Sequence, residues 1–199
     1  MNRKRTPNDA LTKVQVKALL EGITIPRDKL MIQMGIYSGC RVNELRWVRY
    51  DKLDFVQNTI TVFDDKKNQW TWKIDTQTGR KVRDKKLTEG RWRKINLPGW
   101  LMVELQAYIK THPTKTEFVW NISWGQFERV IQKWTSKVLH IKRSWHTLRH
   151  TYVSLHARIK TPMSVLRAQT GDTAATLQKV YEQADPDTIR EAAEANLLG

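Results

Sequence analysis

Two arginines, a histidine and a tyrosine stand in this chain at spacings that suit work on a phosphodiester. Ser38-Gly39-Cys40-Arg41-Val42-Asn43-Glu44-Leu45 puts an arginine just past a glycine able to end a helix. Far downstream, His146-Thr147-Leu148-Arg149-His150-Thr151 sets His146 and Arg149 three apart, on one face if the segment is helical. Thr170-Gly171-Asp172 follows, and Tyr181 stands nine residues after Asp172. Guanidinium groups meet the charge that develops on non-bridging phosphate oxygens with paired N–H donors. A phenol can act as a covalent nucleophile, and a lysine or histidine can move protons to and from the attacking and leaving oxygens. Taken together they form a metal-free kit for phosphodiester chemistry.

Other chemistries fit less well. There is no Gly-rich loop followed by Lys-Ser/Thr, which argues against a P-loop nucleotidase, and no Gly-x-Ser-x-Gly elbow. His146 and His150 have the spacing of paired metal ligands, but Thr147 stands where a zinc-protease base would be. A single cysteine, Cys40, excludes an internal disulfide framework and a cysteine-based zinc site, and points to the cytosol.

The charge says what the kit would meet. Among 199 residues, 35 Lys and Arg face 20 Asp and Glu, a net charge of +15, with an isoelectric point near 10.1. A domain this basic is a candidate polyanion binder. Residues 66–94 carry eleven Lys and Arg against Asp75, Asp84 and Glu89. Residues 182–199 carry five acidic groups against Arg190. A basic body with an acidic tail suggests phosphate contact in the body and another task for the tail. Hydrophobic residues make up 40% of the chain and mean hydropathy is −0.60, as in a water-soluble globular protein. No apolar run approaches a membrane span.

The elements that must hold these residues read as mostly helical. Residues 1–10 are a basic, flexible lead-in, and one domain occupies 11–199. A helix over Leu11–Glu21 is expected with Thr12 as its N-cap, a second from Pro26 to Gly39, and a short one over Val42–Trp47. Thr59–Phe63 and Trp70–Ile74 are β-rich and predict a hairpin across Asp64–Gln69. Residues 75–90 read as a basic insertion, and Arg91–Leu97 as a third strand. Further helices are expected from Trp100 to Pro113, from the Ser123-x-x-Gln126 capping box to Leu139, and over Thr147–Lys160. Another is expected to start at a Thr161 cap with Pro162 and to end at Gly171; the next covers Thr173–Tyr181, with Asp172 as its cap, and a last one 186–198. The fold class is therefore α+β, mainly α-helical, with a small antiparallel sheet of about three strands.

The three blocks resemble the catalytic domain of the tyrosine recombinase, or phage integrase, family: its Thr/Ser-Gly-x-Arg-x-x-Glu-Leu box, its His-x-Leu-Arg-His-Thr box, and its Gly-His-x₈-Tyr ending. The resemblance covers about residues 11–199. It implies a site-specific DNA recombinase, from a virus or other mobile element, acting on double-stranded DNA in the cytosol or nucleoid of its host. Arg41 and Arg149 would clamp the scissile phosphate, His146 would assist proton transfer, and Tyr181 would form a 3′-phosphotyrosyl bond. Lys66 would be the hairpin lysine, with Lys67, Lys73 and Lys94 as rivals. Lys67, Lys73, Arg80, Lys81, Arg83 and Lys85 would touch DNA. No cofactor is implied. The tail helix of 182–199 would dock on a neighbouring protomer in a tetramer on DNA. A type IB topoisomerase and a DNA-binding regulator without catalysis are the alternatives.

The chain departs from the family at Asp172, where histidine or tryptophan is usual. A carboxylate beside a phosphate is unfavourable unless it is protonated or turned away. The reading of Asp172 as a helix cap turns it away. Members of the family also generally carry a DNA-gripping domain ahead of this module, where about ten residues stand here.

Overall fold

The structure, a computed structural model, describes residues 10–63, 70–74, 81–85 and 92–182; 70–74 and 81–85 are described by their backbone pairing. The helices are α1 Lys13–Gly22, α2 Pro26–Ser38, α3 Val42–Arg46, α4 Gly99–Thr111, α5 Trp124–Leu139, α6 His146–Arg158, α7 Met163–Thr170 and α8 Ala174–Glu182. The strands are β1 Leu53–Asp54, β2 Thr59–Phe63, β3 Trp70–Ile74, β4 Lys81–Lys85 and β5 Trp92–Asn96. The mainly helical class with a three-stranded antiparallel sheet is borne out. No helix among the described residues is long and apolar enough to cross a membrane.

Helix α2 is the centre of the body. Leu30, Met31, Ile32, Met34 and Ile36 are all buried, so the helix is enclosed on every side. Its first turn carries the buried Asp28, whose carboxylate accepts the Trp134 indole N–H of α5 at 2.8 Å and pairs with Arg27 at 2.9 Å. A buried charge so partnered is tolerable, and it pins α5 to α2. The start signals of α1 and α5 hold as expected. Thr12 and Ser123 each cap their helix, and Gln15 and Gln126 reach back to complete the capping boxes.

Two expectations change. The predicted hairpin of 59–63 with 70–74 is not the pairing found. β2 pairs with β5, with buried Ile60 opposite buried Ile95, and the sheet order is β1-β2-β5. β3 pairs instead with β4, which lies inside the stretch read as an insertion. Lys-Val-Arg-Asp-Lys has too little apolar content to announce a strand. The turn Asp64–Gln69 lies outside the described residues, as do 1–9 and the tail 183–199. The second change concerns Thr161. It closes α6 rather than capping α7: its N–H donates to the His156 carbonyl at 3.0 Å, its hydroxyl meets His156 Nδ1 at 3.0 Å, and Pro162 takes the N-cap position.

A second, smaller apolar cluster joins the last three described helices. Tyr152 and Val153 of α6, Leu166 of α7 and Leu177 of α8 are buried together, with Met163, Val180 and Tyr181 packed on them. This cluster, and not the main core, seats the helix that carries Tyr181.

Candidate active site

Arg41 owes its place to a left-handed turn. Gly39 ends α2 at φ 61°, and a Cβ there would lie 2.6 Å from the Tyr152 ring. Glycine is needed both for the turn and for the close approach of α6. The chain is extended at Arg41 and starts α3 at once. Glu44, in the first turn, reaches back to accept the Arg41 backbone N–H at 2.7 Å and its Nη1 at 2.6 Å.

Glu44 is buried and serves more than Arg41. Arg93 of β5 donates Nη1 and Nη2 to its two oxygens at 3.0 and 2.9 Å, and Arg149 Nη1 lies 3.8 Å away. Arg93 also donates Nε to the Gln169 carbonyl near the end of α7, at 2.8 Å. It thereby ties β5, α3 and α7 together. In the sequence Arg93 is one of eleven Lys and Arg in residues 66–94. The only hint was its place beside the alternation Trp92, Ile95, Leu97.

Arg149, on α6, is almost wholly buried at 3% exposure. Its Nη1 donates to the Gly39 carbonyl at 2.6 Å and its Nη2 to the Thr170 carbonyl at 2.7 Å. These are carbonyls at the C-terminal ends of α2 and α7, where the helix dipole favours a cation. Burial works to lower the Arg149 pKa, while Asp172 and Glu44 raise it; an arginine remains charged throughout.

Asp172 is not the cap of α8. Thr173 holds that position, its hydroxyl accepting the Thr176 N–H at 3.3 Å. The Asp172 carboxylate turns the other way and bridges the two arginines. Oδ1 accepts from Arg41 Nη2 at 3.1 Å; Oδ2 accepts from Arg149 Nη2 at 2.5 Å and Nε at 3.2 Å. A neighbouring threonine can cap as well as an aspartate, whereas two converging guanidiniums attract only the carboxylate. Gly171, at φ 67°, makes the turn that aims it, and a Cβ there would come 2.9 Å from Arg93 Nη1.

His146 opens α6 and is exposed, its ring edge-on to His150 at 4.5 Å between centroids. The helix start is held by Glu128 of α5, whose two oxygens accept the Trp145 N–H at 3.2 Å; desolvation raises the Glu128 pKa. Tyr181, on α8, donates its hydroxyl to the Thr161 carbonyl, and desolvation raises the phenol above its ordinary value. The Cys40 thiol, wholly buried between these blocks, is pushed up to about 12 by burial and then by Glu44, so it is a packed neutral group. No group of three or more His, Cys, Asp and Glu among the described residues is arranged to hold a metal.

The basic segment is placed only in part. Lys66, Lys67 and Arg80 lie outside the described residues. Register sets Lys73 opposite Val82, and Lys81, Arg83 and Lys85 opposite Ile74, Trp72 and Trp70.

No family model matches the chain. The tyrosine recombinase XerA of Pyrococcus furiosus is 23% identical over 208 residues, which cover 98% of this chain and 64% of that protein. The crystal structure of a XerA recombinase superposes with a TM-score of 0.73 at 17% identity, over 94% of this chain and 64% of that one. The Tn1549 transposon integrase in complex with a circular intermediate DNA gives 0.68 at 19% identity, over 98% and 68%. The catalytic domain of bacteriophage HP1 integrase gives 0.57 at 17% identity, over 95% of both chains. The chain thus spans 64% of the length of its curated relative. With helices wrapped on α2, a three-stranded sheet at its side and the Arg41 and Arg149 boxes brought face to face, the chain has the fold of the tyrosine recombinase catalytic domain.

Proposed function

We propose that this chain is the catalytic domain of a site-specific DNA recombinase of the integrase type. The observation that carries it is the meeting of Arg41 and Arg149 on one carboxylate, in this fold, with His146 on the same helix as Arg149. A group that gathers one carboxylate between two guanidiniums can gather the non-bridging oxygens of a phosphodiester in the same way. Similarity to a transposon integrase solved with DNA supports double-stranded DNA as the substrate, as does the charge of +15.

Arg41 and Arg149 hold the scissile phosphate. The Tyr181 hydroxyl leaves the Thr161 carbonyl, passes its proton to His146 and attacks phosphorus, forming the 3′-phosphotyrosyl bond. The bond to the 5′ oxygen breaks, and that oxygen takes a proton from Lys66 and departs as a hydroxyl. His146 assists the proton transfers. Attack by the 5′ hydroxyl of a partner strand reverses each step and frees the tyrosine, so the bond energy is kept and neither ATP nor a metal enters. Lys67, Lys73, Arg80, Lys81, Arg83 and Lys85 grip the DNA backbone. The enzyme works in the cytoplasm as a tetramer on DNA, with tail helices exchanged between protomers.

Duplexes nicked just past the cleavage site, which lose the short fragment carrying the freed 5′ hydroxyl and so block religation, trap the intermediate. The parent should give an adduct that survives denaturing electrophoresis, and Tyr181→Phe should give none while folding and binding DNA as the parent does. An adduct retained in the Phe variant overturns the assignment.

A further inference from the structure

We propose that the Asp172 carboxylate is a resident occupant of the phosphate seat, and that it must swing out before a DNA phosphate can bind between Arg41 and Arg149. The inference rests on the recombinase reading for the identity of its ligand. The geometry points to it in three ways.

First, the carboxylate binds as a phosphodiester would, one oxygen to Arg41 and the other to Arg149. Second, it takes the one edge of Arg149 that the scaffold leaves over. Nη1 is spent on the Gly39 carbonyl and one Nη2 proton on the Thr170 carbonyl. The Nε–Nη2 edge, the one suited to a two-point grip on an oxyanion, faces Asp172. No phosphate can reach that edge while the carboxylate is there. Third, the carboxylate has room to leave. Asp172 lines an open cleft of about 600 Å³ whose other walls include Lys94 and Arg167. The residue follows a left-handed glycine and precedes the α8 cap, so its side chain can rotate without unwinding either helix.

Charge accounts for the effect. Among the described residues Arg41, Arg93 and Arg149 face Glu44 and Asp172, which leaves a single excess positive charge while Asp172 is in place. Its departure doubles the excess and exposes the pair of guanidiniums. Asp172 thus holds buried Arg149 paired in the DNA-free protein and makes phosphate binding wait on a side-chain exchange.

The test is titration of the full chain with inorganic phosphate, read by calorimetry and by the phosphate-induced rise in melting temperature. Asp172→Asn should bind phosphate roughly tenfold or more tightly than the parent, the equivalent of about one charge-assisted hydrogen-bonding contact regained. Asp172→Ser, which keeps the turn with a smaller side chain, should gain in the same direction and covers the case in which the Asn variant does not fold. Glu104→Gln removes the same charge from the exposed face of α4 and should bind as the parent does. Adding Arg41→Gln to Asp172→Asn should abolish the gain. If the folded Asp172 variants bind phosphate no more tightly than Glu104→Gln, or if the gain survives Arg41→Gln, the inference is overturned. Trapping on nicked DNA separates the two readings. Adducts from the parent with no gain in phosphate affinity sink this inference alone. A gain in affinity with no adduct from any variant sinks the recombinase reading and leaves an oxyanion seat that does not cleave DNA.

Discussion

Glu44 and Arg93 carry more of the site than their place in the sequence suggests. A buried carboxylate serving Arg41 and Arg93 directly, with Arg149 at 3.8 Å, is costly to neutralise, because the guanidiniums lose their counter-charge inside the protein. Glu44→Gln keeps the shape and removes the charge, and should cost about 3–5 kcal/mol of unfolding free energy, measured by urea denaturation. A loss below about 1 kcal/mol, the range of an exposed ion pair, would show that the carboxylate is not the hub described. At this scale the meeting of Arg41 and Arg149 was legible, because a motif named each of the two residues. The sequence was not legible for Arg93, whose partner lies 49 residues away, in a segment where every third residue is basic. Asp172 was misread for a related reason. Capping is a local rule that can be applied to a string of residues, while the pull of two arginines converging from different helices cannot.

Helix ends were legible where they are decided within a few residues, as with Thr12 and Gln15, Ser123 and Gln126, and the glycines that close α2 and α7, but not at Thr161 or Asp172, where a contact from elsewhere decides. Strand pairing was not legible. β2 finds its partner beyond β3 and β4, and nothing in Thr-Ile-Thr-Val-Phe tells a near partner from a far one. The joint between α6 and α7 was equally hidden, and it holds the Tyr181 hydroxyl. His156 meets the Thr161 hydroxyl at 3.0 Å, and the Thr161 carbonyl receives the Tyr181 hydroxyl. Desolvation lowers the His156 pKa below its ordinary value of 6.5. The unfolded chain therefore binds a proton on His156 more readily than the folded one. Its contribution to stability is full above pH 6.5 and is lost as pH falls through 6.5 toward the folded value. His156→Asn should flatten the pH dependence of the melting temperature in that window. An unchanged profile would show that the imidazole titrates as freely in the fold as outside it.

The chain as a whole is basic, which was readable from composition, and its cations cluster in residues 66–94, which was readable from their order. With a net charge of +15, binding to duplex DNA should be governed by counterion release and weaken steeply as salt rises. Neutralising Arg80, Lys81, Arg83 and Lys85 together should reduce the slope of log affinity against log salt by roughly 3–4 units; an unchanged slope means that this segment does not meet DNA. The central claim is the proposed one, that phosphodiester chemistry runs through Tyr181 with the two arginines holding the phosphate. The most direct measurement is peptide mapping of protein trapped on nicked duplexes, using the parent and Asp172→Asn so that the resident carboxylate cannot hide the activity. Cleavage after Lys179 and Arg190 releases residues 180–190, in which Tyr181 is the one tyrosine. The DNA fragment should be linked to that peptide. Linkage to any other peptide, or no linkage from either protein, would contradict the account.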